Sequence, residues 1–304
     1  MTRTSENPKY KTPRMENVAS MARLIRKFIK PSVKEIYPKK ANHETLPLYG
    51  LITFAILSSL YCNGDIKKAY DLFIVDKKMF PRIRYNKIIE RLHRYELLLK
   101  ELNKNFFATF KQGNIMNFDS RPIKTKRVVR KNRYNKRGRS KLITEKERVG
   151  YNASKKEYYL GYKLTAKTDG RFIKPIFIDP ANRYDSKVIE RKLDAFVKDC
   201  KGEMTIGDKG YIKGQMQEEA RRRGVMYVAI PRRNMIKHRW QRKLYRILGK
   251  MRKSIETIFS LTEEFGLRFI RAITRRGLSI KIHLATLATN FYQLCRLGQN
   301  KEVF

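Results

Sequence analysis

The hydrophobic period of the chain changes near residue 113. Before that point, apolar residues recur at three- and four-residue spacing in Met21–Ile29, Leu48–Leu60, Ala69–Val75 and Ile88–Leu102. That spacing belongs to helices with one buried face. Pro31, Pro38, Pro47, Asn63-Gly64 and Pro81 fall between these runs as breakers. After Gly113-Asn114 the runs shorten and alternate in type. A strand over Ile115–Phe118 is expected to end at Asp119, and strands over Tyr158–Thr168 and Lys174–Asp179 to be joined by an Asp169-Gly170 turn. A helix N-capped by Asp185 should run through Ser186–Lys198, followed by a strand over Met204–Ile206. A helix over Gln215–Arg223, a strand over Val225–Ile230 and a long helix from Gln241 to Glu264 complete the order.

Strand, hairpin, helix, strand, helix, strand, helix is the element order of an RNase H-like core. The expected fold is α/β: an RNase H-like mixed sheet with flanking helices, plus an N-terminal all-helical domain. Residues 1–15 read as a basic flexible arm and 16–110 as a helical DNA-binding domain. Residues 111–275 read as the catalytic domain, with a basic insertion over 120–148, and 276–304 as a C-terminal helix packing on the core. Within the insertion, Arg121 to Lys141 carry eleven Lys or Arg and no acid, a run expected to stay extended or mobile until it meets phosphates.

Charge narrows the partner. The 304 residues hold 70 Lys and Arg against 28 Asp and Glu, a formal net charge of +42. Such a surface calls for a polyanion, nucleic acid or an anionic membrane. The most apolar stretch, Leu46–Cys62, contains Pro47 and Gly50 and falls short of the roughly 20 residues that span a bilayer. No membrane role is expected, and a polar start over Met1–Tyr10 argues for a cytoplasmic, nucleoid-associated protein. Cys62, Cys200 and Cys295 are scattered and without a zinc spacing, and read as small apolar residues. No GxxxxGK[ST] or GxGxxG stands in the chain, so nucleotide-dependent classes have no support.

Against this basic background three acids stand out. Asp119 and Asp208 each follow a predicted strand, and Gly207 and Gly210 allow tight turns around the second. Glu256 lies at the margin of the apolar stripe Leu244, Ile247, Leu248, Met251, Ile255, Ile258 and Phe259, four residues after Arg252. Two carboxylates at strand ends and one on a later helix can hold a pair of divalent ions for in-line phosphoryl displacement. Oxygen ligands without His or Cys favour Mg2+ or Mn2+. Expected DNA contacts are Lys124, Lys126, Arg127, Arg130, Lys131, Arg133, Lys163, Lys209, Arg232, Arg233 and Arg252. Singly, each acid is also an ordinary turn or surface residue, so the combination and its order carry the argument.

Four segments resemble DDE transposases of insertion sequences, most of all the IS982 family within the IS4/IS5-like group. They are Asp119-Ser120-Arg121-Pro122, Tyr159-Leu160-Gly161-Tyr162-Lys163-Leu164, Ile206-Gly207-Asp208-Lys209-Gly210-Tyr211-Ile212 and Arg252-Lys253-Ser254-Ile255-Glu256-Thr257-Ile258-Phe259-Ser260. The resemblance implies an RNase H-like fold, an Asp119–Asp208–Glu256 triad, and Mg2+-dependent cleavage at terminal inverted repeats followed by strand transfer. It also implies element-end and target DNA as partners, in a homodimeric synaptic complex. IS4-type enzymes carry Tyr-x2-Arg-x3-Glu-x6-Lys around the last acid. Here Gly249 and Glu263 stand at the Tyr and Lys positions, and only Arg252 and Glu256 match. Two rivals remain: an RNase H-like endonuclease without strand transfer, and an inactive, domesticated DNA-binding protein.

Overall fold

The computed structural model describes residues 18–37, 45–127, 148–152, 156–208, 214–230, 239–268, 270, 272 and 274–299. The N-terminal part is helical: α1 (Val18–Ile36), α2 (Leu48–Cys62), α3 (Ile66–Tyr70), α4 (Tyr85–Arg94) and α5 (Glu96–Phe110). Helix α1 buries Val18, Met21, Ala22, Ile25, Ile29 and Val33 on one stripe and continues through Pro31, which was expected to break it. Helix α2 is buried on nearly every side. It ends at Asn63 in the left-handed region, and Asp65 caps α3 by accepting from the Lys68 amide at 3.0 Å. The single helix expected over Ile88–Leu102 is two, parted at Tyr95. Arg91 of α4 is buried and donates to the Leu46 carbonyl at 2.8 Å.

The second part alternates β1 (Ile115–Arg127), β2 (Arg148–Asn152), β3 (Glu157–Thr168), β4 (Ile173–Pro180), α6 (Asp185–Arg191), α7 (Leu193–Cys200), β5 (Met204–Gly207), α8 (Gly214–Arg222), β6 (Met226–Ala229), α9 (Arg239–Thr262) and α10 (Arg275–Gln299). The sheet of six strands runs β2-β3-β1-β5-β6, with β4 also on β3. Strands β1, β3 and β4 form an antiparallel meander, while β5 and β6 lie parallel to β1 and to each other. Asp169 shapes the β3–β4 turn, accepting from the amides of Arg171 and Phe172 while Gly170 takes φ +96°.

One expectation is corrected outright. Strand β1 does not stop at Asp119 but pairs with β3 as far as Arg127. The first residues of the supposed insertion are therefore strand. Two of the charges on this strand are balanced by acids distant in sequence: Arg121 by Glu263 at 2.7 Å, and Lys124 by Glu157. Gly161 makes the pairing possible, since a Cβ there would meet the Ile123 carbonyl oxygen at 2.0 Å.

Each face of the sheet is covered. Ile123, Tyr162, Leu164 and Ala166 pack under Ile255, Ile258 and Phe259 of α9 and Leu278, Ile282 and Ala285 of α10. Phe118 and Phe177 pack on the other face against Val188, Ile189, Phe196, Val197, Met216 and Ala220 of α6, α7 and α8. The opposite side of α10 enters the helical part, where Leu284, Leu287 and Phe291 share a cluster with α1, α2 and α5. Phe106 stands edge-on to Phe291 and Phe172, with centroids at 5.0 and 5.5 Å. Helical part and sheet thus meet through a continuous apolar contact. No helix among the described residues is long and apolar enough to cross a membrane.

Inside that contact, Asn103 of α5 donates to the His283 carbonyl of α10 at 3.1 Å, beside a buried imidazole. Burial pushes the His283 pKa down to about 4, helped by the Lys100 charge. The folded chain holds the ring neutral and the unfolded chain protonates it near the ordinary 6.5. Its contribution is present above that value and is lost as pH falls toward 4. Between pH 7 and 5 the loss should be about 2 kcal/mol. Urea unfolding across that range, for wild type and His283→Gln, checks it. Equal slopes for the two proteins would remove His283 as the cause.

Candidate active site

The three acids reach one place from three elements. Asp119 lies in the middle of the central strand β1, Asp208 directly follows β5, the parallel neighbour of β1, and Glu256 is on α9. Alternation along β1 sends Phe118 to the α6–α8 face and Asn117 and Asp119 to the α9 face. The Asn117 amide donates to the Ser254 hydroxyl at 2.9 Å and ties α9 to the sheet two residues from Asp119.

Between the acids stands Arg252. Its Nη1 lies 3.4 Å from Asp119 Oδ2 and 4.0 Å from Asp208 Oδ2, and its Nη2 lies 3.1 Å from Glu256 Oε1. The side chain of Arg252 is 20 % exposed, that of Asp119 22 %, Asp208 41 % and Glu256 53 %. The cleft thus opens to solvent on the Glu256 side and closes over Asp119. Burial raises the Asp119 carboxyl to a pKa of about 6; the Ser120 amide at 2.8 Å and Arg252 pull it down, while Asp185 and Asp208 push it up.

Among the described residues, no three His, Cys, Asp or Glu side chains stand close enough together to hold a metal ion as they are. The donor set nonetheless fits Mg2+ or Mn2+. It is made of carboxylate oxygens alone, and all three surround a single positive centre.

The expected DNA contacts fare differently. Arg252 is in the cleft, where it pairs with the acids. Lys163 faces the other side of the sheet, donating to Asp185 Oδ1 and the Arg183 carbonyl, each at 2.9 Å. Lys124 is paired with Glu157, and Lys126 and Arg127 follow on the same strand. Arg130, Lys131, Arg133, Lys209, Arg232 and Arg233 lie outside the described residues. Two residues of the site went unread in the sequence. Asn117 carries a signal, being two positions before Asp119 and so on its face. Asp185, expected as a helix N-cap, is instead the first residue of α6, after Tyr184 at the N-cap; it accepts from Ser120 Oγ at 2.6 Å and faces the back of the site.

The stripe on α9 is only half used. Leu248, Ile255, Ile258 and Phe259 are buried, whereas Leu244 and Ile247 are 43 % and 51 % exposed.

No curated protein matches the chain in sequence. Of solved structures, a piggyBac transposase synaptic complex with hairpin DNA is similar at 10 % identity and a TM-score of 0.44, covering 95 % of this chain and 79 % of that one. The profile described as "Transposase DDE domain" matches residues 110–291, more than half of the chain, from the end of α5 through β1, β5 and α9 into α10. Those residues include all three converging acids, and the chain belongs to the DDE transposase-domain family.

Proposed function

We propose that the chain is an insertion-sequence transposase that cuts DNA at the terminal inverted repeats of its element and transfers the freed strand to target DNA. The observation that carries this is the meeting of Asp119, Asp208 and Glu256 around one guanidinium, within the family match. A meander β4-β3-β1 continued by β5 and β6 parallel to β1 supports an RNase H-like core. The motif blocks named above favour the IS982 family. The helical residues 16–110 are proposed to help hold the element ends in a homodimeric synapse, in a protein associated with the nucleoid.

The triad would hold divalent ions, Mg2+ or Mn2+ and two in number, which supply Lewis-acid stabilisation of the attacking and leaving oxygens. The chain's own work is placement. Asp119 is fixed by the central strand, Asp208 by the end of its neighbour, and Glu256 by a helix hydrogen-bonded to the sheet through Asn117 and Ser254. In the first reaction a water oxygen attacks phosphorus at the element end and the P–O3′ bond breaks, leaving a 3′-hydroxyl. In the second that hydroxyl oxygen attacks a target phosphorus, forming one phosphodiester while the target P–O3′ bond breaks. Both are displacements at phosphorus with no net redox change, so one acidic site serves both.

The test is incubation of the full chain with duplexes carrying the element's own ends, plus Mg2+ or Mn2+. Cutting that leaves a 3′-hydroxyl, with a slower joined product, is expected. Cutting without joining selects the nuclease instead, and binding with no cutting in either metal overturns the enzyme.

A further inference from the structure

Arg252 has more to do than an ordinary i, i+4 partner of Glu256. A helix-surface pair of that kind links one turn to the next and contributes only a few tenths of a kcal/mol. Here the same guanidinium also reaches Asp119, 133 residues away on β1, and approaches Asp208 at the end of β5. Three carboxylates on separate elements converge on one positive group. A planar fork with five N–H donors can address acceptors in different directions, which an ammonium cannot do from one rotamer.

A guanidinium and a divalent cation cannot both occupy this position. The cation needs carboxylate oxygens at about 2.0–2.1 Å for Mg2+, far shorter than the 3.1 to 4.0 Å seen around Arg252. Drawing the acids in on a divalent charge sets two positive centres against each other. From the placement of Arg252 we infer that it is the resident counter-ion of the triad. It keeps the three carboxylates gathered, competes with divalent ions for them, and so sets the metal concentration at which the site loads. This rests on the acids being the metal site proposed above.

If the guanidinium holds the triad nine-tenths of the time, apparent metal affinity is lowered about tenfold. The experiment is Mn2+ titration of the full chain without DNA, following free Mn2+ by electron paramagnetic resonance, with thermal midpoints at each metal level. Arg252→Gln should bind Mn2+ about tenfold more tightly than wild type. Arg252→Lys, which keeps the charge but not the fork, should fall between. Without divalent metal the midpoint of Arg252→Gln should drop, and its rise on adding Mn2+ should exceed that of wild type. A damaged site would lose affinity, so a gain is not a generic result. Affinity equal to or below wild type in a folded Arg252→Gln overturns the inference. If that variant does not fold, Arg252→Lys decides on the same criterion. Asp208→Asn separates the two levels: if it binds Mn2+ as tightly as wild type, the acids are not the metal site and the functional assignment falls with the inference. If it loses binding while Arg252→Gln gains none, the assignment stands and only the counter-ion role is lost.

Discussion

Asp119→Asn, Asp208→Asn and Glu256→Gln should each lower the rate of DNA cutting by at least about a thousandfold while leaving DNA affinity nearly unchanged. The size follows from what a carboxylate supplies. On the proposed assignment each acid is one fixed anionic ligand, and stabilising transition-state charge at phosphorus through bound ions accounts for several kcal/mol, about three decades of rate at 1.36 kcal/mol per decade. Binding should survive because it comes from a chain of charge +42, which one neutral substitution hardly alters. The three sites also differ in what they cost the fold. Burial disfavours the charged form of Asp119, so its asparagine variant should unfold no earlier than wild type. Glu256 is half exposed, and its glutamine variant should be neutral in stability. Cutting measured under single-turnover conditions, with gel-shift affinity and thermal midpoints alongside, checks all three. Any of them cutting within tenfold of wild type would remove that residue from the triad.

The three converging acids were legible as candidates because their carriers are local. An apolar run ending in Asp, a Gly-Asp-Lys-Gly turn and an i, i+4 Arg–Glu pair each lie within a few residues of sequence. The hairpin over Asp169-Gly170 was legible for the same reason. What the sequence hid was pairing between distant charges. Arg121 and Lys124 read as unbalanced because their acids, Glu263 and Glu157, belong to other elements, and residues 121–127, read as part of a mobile segment, are the second half of β1. Glu263 illustrates this twice over: it stands where the IS4-type pattern has Lys, and its carboxylate holds Arg121. Periodicity likewise found the stripe on α9 without telling which part of it would have a partner, and Leu244 and Ile247 have their side chains largely in solvent. The i, i+4 rule found the contact of Arg252 with Glu256 and was blind to Asp119, because the rule has no knowledge of the sheet.

The largest effect on stability is expected on the opposite face of the sheet from the acids, at Lys167, whose backbone pairs with Phe118. Its ammonium, 2 % exposed, donates to Glu203 Oε2 at 2.7 Å and to the Asp199 carbonyl at 2.6 Å, with Asp199 Oδ2 at 3.1 Å. Glu203 also takes Lys111 at 2.8 Å, and Asp199 takes Lys174. The cluster joins the end of α5, β3, β4, α7 and the approach to β5, and so fixes the strand that delivers Asp208. Burial works against the Lys167 charge, but Cys200, Asp199 and Glu203 outweigh it and raise its pKa. Lys167→Met keeps the length of the stem and removes the charge. Breaking a buried pair costs about 3–5 kcal/mol because the partner is left uncompensated. Here each acid keeps one lysine, which places the loss near the lower bound, about 3 kcal/mol, or roughly 5 °C in thermal midpoint. The double variant Lys167→Met/Glu203→Gln discriminates the cause. If an unbalanced buried charge is responsible, it should recover at least half of the loss, since the acid left short of partners is gone. If lost packing beside the Phe107 ring, whose centroid lies 5.7 Å from the ammonium, is responsible instead, the second change should add to the first. A midpoint for Lys167→Met within about 2 °C of wild type would mean that the cluster contributes specificity of strand placement rather than stability. DNA cutting would then be the property that suffers, because Asp208 follows directly from the strand that Glu203 introduces.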